Sequence, residues 1–217
     1  MKNDSVLLFL FALICCKSAT AQVTQLELTA GFNKSDFNSF SIKPLDEKNK
    51  FSVSTLAFFQ KFYHNEDVPY DETGVQASGY WNFSTNARLG PSLYYNSVAG
   101  FSEKLSFLFL KGGKHLVVVA IPSVFHTEKD NVVNGDVFIQ MQYSRVIKND
   151  WSVLTYTQLL TTWKKFSEHA RSFQQLRAGV AYKNNQFGVS IDFDEYGPKL
   201  ITKTTFGIFV RKVMLEK

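Results

Sequence analysis

Along most of this chain, apolar and polar residues change places at every second position. In Leu176-Arg177-Ala178-Gly179-Val180-Ala181-Tyr182 the even positions are apolar and the odd ones small or charged. Phe187, Val189, Ile191 and Phe193 alternate with Gly188, Ser190, Asp192 and Asp194, and Phe206, Ile208 and Val210 with Gly207, Phe209 and Arg211. Val137, Ile139, Met141 and Tyr143 alternate with Phe138, Gln140, Gln142 and Ser144. A period of two puts one greasy and one polar face on an extended strand. Polar turn sequences separate these runs: Lys111-Gly112-Gly113-Lys114, Lys148-Asn149-Asp150, Lys183-Asn184-Asn185-Gln186 and the longer Asp46-Glu47-Lys48-Asn49-Lys50. Gly, Asn and Asp suit the left-handed backbone of tight hairpins.

Strands are expected near 23–32, 37–43, 51–63, 74–83, 88–96, 101–111, 114–125, 135–147, 151–164, 172–183, 186–194 and 203–215, about twelve in all. The links after the even-numbered strands read as short, including Ser84-Thr85-Asn86-Ala87. Those at 64–73, 126–134, 165–171 and 195–202 read as longer. An even strand count returns both ends of the chain to the short-turn side. This pattern, with the last strand Thr204-Thr205-Phe206-Gly207-Ile208-Phe209-Val210-Arg211-Lys212-Val213-Met214-Leu215, resembles the outer-membrane β-barrel proteins of Gram-negative bacteria, most of all the small uncharacterised barrels of Bacteroidota. The resemblance implies an all-β, closed, antiparallel up-and-down transmembrane barrel with short periplasmic turns and longer external loops.

Residues 1–21 read as a secretory signal, leaving 22–217 as the barrel domain. Lys2 precedes an apolar run from Val6 to Cys16, and Ala19-Thr20-Ala21 forms a small-residue cleavage site. The run is well short of the roughly 20 residues a spanning helix needs. Both cysteines, Cys15 and Cys16, fall inside it, so a chain starting at Gln22 has no thiol chemistry. Leu13-Ile14-Cys15-Cys16 is also a loose lipoprotein box, with Cys16 as the residue that would carry lipid. Removing the segment takes away two lysines and one aspartate, so the formal charge of +5 falls by one. No basic cluster with interleaved aromatics stands out, which argues against a nucleic-acid partner.

Composition sharpens the question of which face points where. The 217 residues include 21 Phe and 9 Tyr, yet mean hydropathy lies slightly below zero. A soluble barrel points its apolar face inward around an apolar ligand; a membrane barrel points it at lipid. Twelve strands enclose more space than apolar side chains fill, and the polar face carries charges at mid-strand. Tyr63, Trp81, Phe101, Trp151, Trp163, Tyr182 and Tyr196 sit near strand ends, as interfacial girdles do. Lipid outside and a polar lumen inside, open to small solutes, is the expected arrangement.

One hairpin yields candidate site residues. With Asn184-Asn185 as the turn, Arg177 faces Asp192 and Gln175 faces Asp194, and Arg211 lies on the polar face of the last strand. Opposite charges across a strand pair either brace the wall or filter solutes.

Catalytic and metal chemistry find less support. His64, His126 and His169 fall in long links without metal-binding spacing. Ser167-Glu168-His169 holds nucleophile, acid and base types, but adjacent loop residues rarely face one another. Glu66-Asp67 and Asp71-Glu72 read as a solvated acidic loop. No phosphate cradle, CxxC or HExxH is present, so no cofactor is expected. A passive pore or structural wall protein is the expected role, ahead of a soluble ligand-binding barrel and a lipid-acting hydrolase.

Overall fold

A computed structural model describes residues 22–63 and 71–216. The expected signal segment, Cys15, Cys16, His64, Glu66 and Asp67 lie outside the described residues. Twelve strands follow one another: β1 (Gln22–Gly31), β2 (Lys34–Pro44), β3 (Phe51–Phe62), β4 (Glu72–Asn82), β5 (Ala87–Asn96), β6 (Gly100–Gly112), β7 (Leu116–Thr127), β8 (Val132–Lys148), β9 (Trp151–Lys164), β10 (Glu168–Tyr182), β11 (Asn185–Tyr196) and β12 (Ile201–Glu216). Each pairs antiparallel with its neighbours, and β1 pairs with β12, closing the ring. Closure leaves no sheet edge with unpaired amides. Both ends of the described chain lie at the end of the barrel carrying the links 45–50, 83–86, 113–115, 149–150 and 183–184.

Alternation becomes a radial partition. On β12, Phe206, Ile208 and Val210 are more than half exposed on the outer wall, while Thr205, Phe209 and Arg211 are buried inside. On β10, Leu176 is outside and Arg177 inside. A soluble barrel would show the reverse.

Two expectations are corrected. The links at the opposite end are mostly short: 128–131, 165–167 and 197–200 replace the longer 126–134, 165–171 and 195–202, and 63–71 alone stays long. The sorting of link lengths by barrel end therefore does not hold. Polar residues at the strand tips continue the ladder, as in the pairs Glu168↔Lys164 and Asn134↔Lys164, because backbone pairing needs no apolar side chain. Lys164 also reaches Asp130 at 2.5 Å, holding that carboxyl below the usual range.

The β10–β11 turn is Lys183-Asn184, not Asn184-Asn185, and Lys183 takes a left-handed φ of 53°. Arg177 is therefore opposite Ser190, Gln175 opposite Asp192, and Asp194 opposite Phe173. Both turns put the same residues on the same face, so alternation could not separate them. The glycines do. Gly179 faces Gly188, where the two backbones approach so closely that a Cβ on Gly188 would lie 2.1 Å from the Ala178 carbonyl oxygen. The other register would put Ala181 opposite Gly188 and Ser190 opposite Gly179, forcing a side chain into that approach.

Candidate functional site

The lumen is the site that the partition creates, and its two sides are built differently. Strands β10–β12 and β1–β4 carry most of the charge. Arg177, Arg211, Lys34, Asp192 and Asp194 are each at most 2% exposed. Their order along the strands follows from alternation: Glu27 stands between Leu26 and Leu28, and Asp36 between Ser35 and Phe37.

At mid-barrel, Glu27 on β1 ties two arginines together. It accepts from Arg177 Nε at 3.2 Å and from Arg211 Nε at 2.6 Å. Arg177 also ion-pairs with Asp192, reaching it diagonally rather than straight across the hairpin. Arg211 donates to Gln186 at 3.3 Å, and its guanidinium lies 3.8 Å from the Tyr156 ring centroid. Beneath it, Leu154, Tyr156, Ala181 and Phe209 form a small apolar cluster inside the lumen. Gln175, buried opposite Asp192 and Gln158, adds amide polarity to this layer.

Nearer the end that carries the links 128–131, 165–167 and 197–200, Lys34 lies 2.7 Å from Asp194, 3.3 Å from Asp36 and 3.4 Å from Asp192. Arg171 on β10 ion-pairs with Glu72 on β4. These strands stand six places apart in a ring of twelve, on opposite walls. A circular barrel of twelve tilted strands spaced about 4.8 Å apart has a backbone diameter of roughly 24 Å, more than two side chains span. The cross-section is therefore oval at this level, with the β2–β4 wall close to β10–β11. Gln60 on β3 strengthens the closure by donating to the Tyr196 hydroxyl on β11 at 2.9 Å.

Across β5–β9, and at Ser54 on β3 and Ser78 on β4, the inner face carries mainly hydroxyls and amides, with Arg88 on β5 half-buried among them. Ser54, Ser78, Ser92, Ser106 and Ser123 are all buried on the inner face, with Ser92 donating to Ser78 at 2.8 Å and Ser106 to Ser123 at 2.9 Å. Gln158 and Tyr156 both donate to Gln140 Oε1 at 3.1 Å. One ion pair, Lys104 with Asp136 at 2.6 Å, joins β6 to β8.

The five residues expected from sequence all face the lumen: Arg177, Asp192 and Arg211 share the mid-barrel layer with Gln175, and Asp194 belongs to the Lys34 layer. Glu27, Lys34, Asp36, Glu72 and Arg171 were missed. For Glu27 the signal was present, a lone charge alternating with leucines. Glu72, expected in a solvated acidic loop, instead opens β4 and is only 7% exposed. Tyr196, expected in an outer girdle, points inward. Trp81, Trp151 and Tyr182 do stand on the outer wall near the turns, with Trp151 and Tyr182 ring centroids 5.0 Å apart.

The histidines take separate partners. His126 Nε2 meets Asn131 Oδ1 at 2.9 Å, whereas His169 contacts the Gly197 carbonyl and Ser172. Among the described residues, no group of three His, Cys, Asp or Glu side chains is placed to hold a metal ion.

No protein-family model matches the chain, and no curated protein does. Among solved structures it is similar to the KdgM porin at 13% identity, covering 89% of this chain and 98% of that one, with a TM-score of 0.47. It is similar to the NanC porin at 8% identity, over 88% and 98% of the two chains, with a TM-score of 0.49. LpxR from Salmonella typhimurium matches at 7% identity over 89% and 99%, with a TM-score of 0.41.

Proposed function

We propose that the chain spans a bacterial outer membrane and forms a narrow, charge-lined passage for small hydrophilic solutes. The inverted partition of side chains carries this reading. Leu28, Val189, Ile208 and Val210 are 55–60% exposed on the outer wall while arginines are buried within. In water each such exposed aliphatic would forgo about 1.5–3 kcal/mol of burial, whereas against lipid it forgoes nothing. The expected export signal at 1–21 fits the same location.

The lumen supports a restricted passage. Arg171–Glu72 and Lys34–Asp194 cross the space near the end that carries the links 128–131, 165–167 and 197–200, which narrows the passage there. Small steps in planar bilayers, several-fold larger in an Arg171→Ala/Glu72→Ala double variant, are the expected result. Protein that stays in solution without detergent ends the membrane reading. Inserted protein silent in both forms ends the passage and leaves a wall role.

A further inference from the structure

We propose a second site, on the outer wall, in which His169 and Ser172 act as a base–nucleophile pair that cleaves carboxylic esters. His169 Nδ1 lies 2.8 Å from the Gly197 carbonyl oxygen, which only accepts, so Nδ1 carries the proton. That leaves Nε2 with its lone pair, 2.8 Å from Ser172 Oγ. A nucleophile bonded to a base, and a base oriented by a third group, is the arrangement that activates a serine.

A local irregularity builds the pair. Residues three apart on a regular strand point to opposite faces. Between His169 and Arg171 the pairing with β9 slips by one residue, so His169 stands opposite Trp163 and Ser172 opposite Thr161. The extra residue, Ala170, turns His169 onto the face of Ser172, while Arg171 stays inside with Glu72. The Gly197 amide donates to the Ala170 carbonyl at 2.9 Å, fixing the link that orients the imidazole. Ser172 Oγ also reaches Thr161 Oγ1 at 3.1 Å, so its proton has a second acceptor beside the imidazole. Ser167-Glu168-His169 holds the right residue types, but His169 turns to Ser172 instead.

The reaction balances with water as co-reactant. Ser172 Oγ bonds to the ester carbonyl carbon as its proton passes to His169 Nε2. The carbon–oxygen bond to the alcohol breaks, and the alcohol leaves with that proton. Water then attacks the acyl-serine, giving its proton to His169, and the serine oxygen leaves and regains it. The products are an alcohol and a carboxylic acid.

Both side chains are half-buried; Glu195 stands opposite Ser172, and past Gln174 the same outer face carries Leu159, Leu176 and Phe193, with Trp163 beside His169. That surface suits an ester whose acyl chain lies along the wall, as a membrane lipid's would. The lipid as substrate rests on the membrane reading; the dyad does not.

The full barrel, folded in detergent and identified by its heat-shifted gel mobility, is treated with an alkyl fluorophosphonate, and the modified peptide is located by mass. Label on Ser172 is expected, absent in Ser172→Ala, at least about 100-fold slower in His169→Gln, which has a donor but no base, and unchanged in Ser167→Ala. Folded wild type that stays unlabelled, or a His169→Gln rate equal to wild type, overturns the pair. Hydrolysis of 4-nitrophenyl butyrate in detergent tests the chemistry without a membrane. Fatty-acid release from phosphatidylethanolamine–phosphatidylglycerol vesicles tests the lipid; butyrate cleavage without it overturns the lipid and keeps the dyad.

Discussion

The two sides of the lumen face the same enclosed space with opposite chemistry. On the side built from β10–β12 and β1–β4, formal charges are buried and mutually paired, some across the full width of the barrel. On the side centred on β5–β7, neutral hydroxyls pair with their neighbours on adjacent strands. Neighbour-to-neighbour bonds line a wall without crossing the space, whereas long charged side chains reach across and join walls. The charged side is therefore a brace, and the neutral side a wall held by short local bonds.

Breaking the brace should have the largest effect. Arg177→Ala leaves Glu27 short of one partner and Asp192 without its arginine, and should cost about 3–5 kcal/mol in denaturant unfolding of the detergent-folded barrel. Ile208→Lys, on the outer wall behind the same strands, should cost about 2–4 kcal/mol in lipid vesicles if that face meets the bilayer midplane. In detergent-free solution no such folded species should exist to compare.

Smaller effects are expected elsewhere. Lys104→Met removes the Lys104–Asp136 ion pair between β6 and β8 and should cost about 1–3 kcal/mol, because Asp136 is left buried. A loss equal to that of Arg177→Ala would erase the contrast between the sides. Ser92→Ala breaks one hydroxyl pair and should cost about 0.5–1.5 kcal/mol with little change in conductance. The exposed Lys164–Asp130 pair should matter least. Asp130 has its carboxyl lowered by Lys164, so its small contribution is present above the ordinary carboxylate range and fades as pH falls through the lowered value. Asp130→Asn should remove that dependence and leave the unfolding midpoint near neutrality in place.

The strands were legible because each needs only its own residues. Leu176 to Tyr182 shows its two faces without reference to any partner, and all twelve strands correspond to expected runs. The candidate charges were legible for the same reason: Arg177, Asp192, Asp194 and Arg211 stand at polar positions of alternating runs. Their partners were not. Glu72 looked like loop because its neighbours are polar, and only the opposite wall, bringing Arg171, explains its burial. The His169–Ser172 pair was hidden by a bulge, which shifts a face by one residue and leaves no mark in periodicity.

Alternation alone determined that this chain is a run of strands, each with a greasy and a polar face, since the period of two is a property of each extended backbone. Tertiary structure decided the rest. Register within β10–β11 was settled by the close approach of Gly179 and Gly188, a contact between strands that the order of residues along either one does not encode. Which charges meet was settled by closure, because a ring brings residues 99 positions apart, Glu72 and Arg171, into one ion pair.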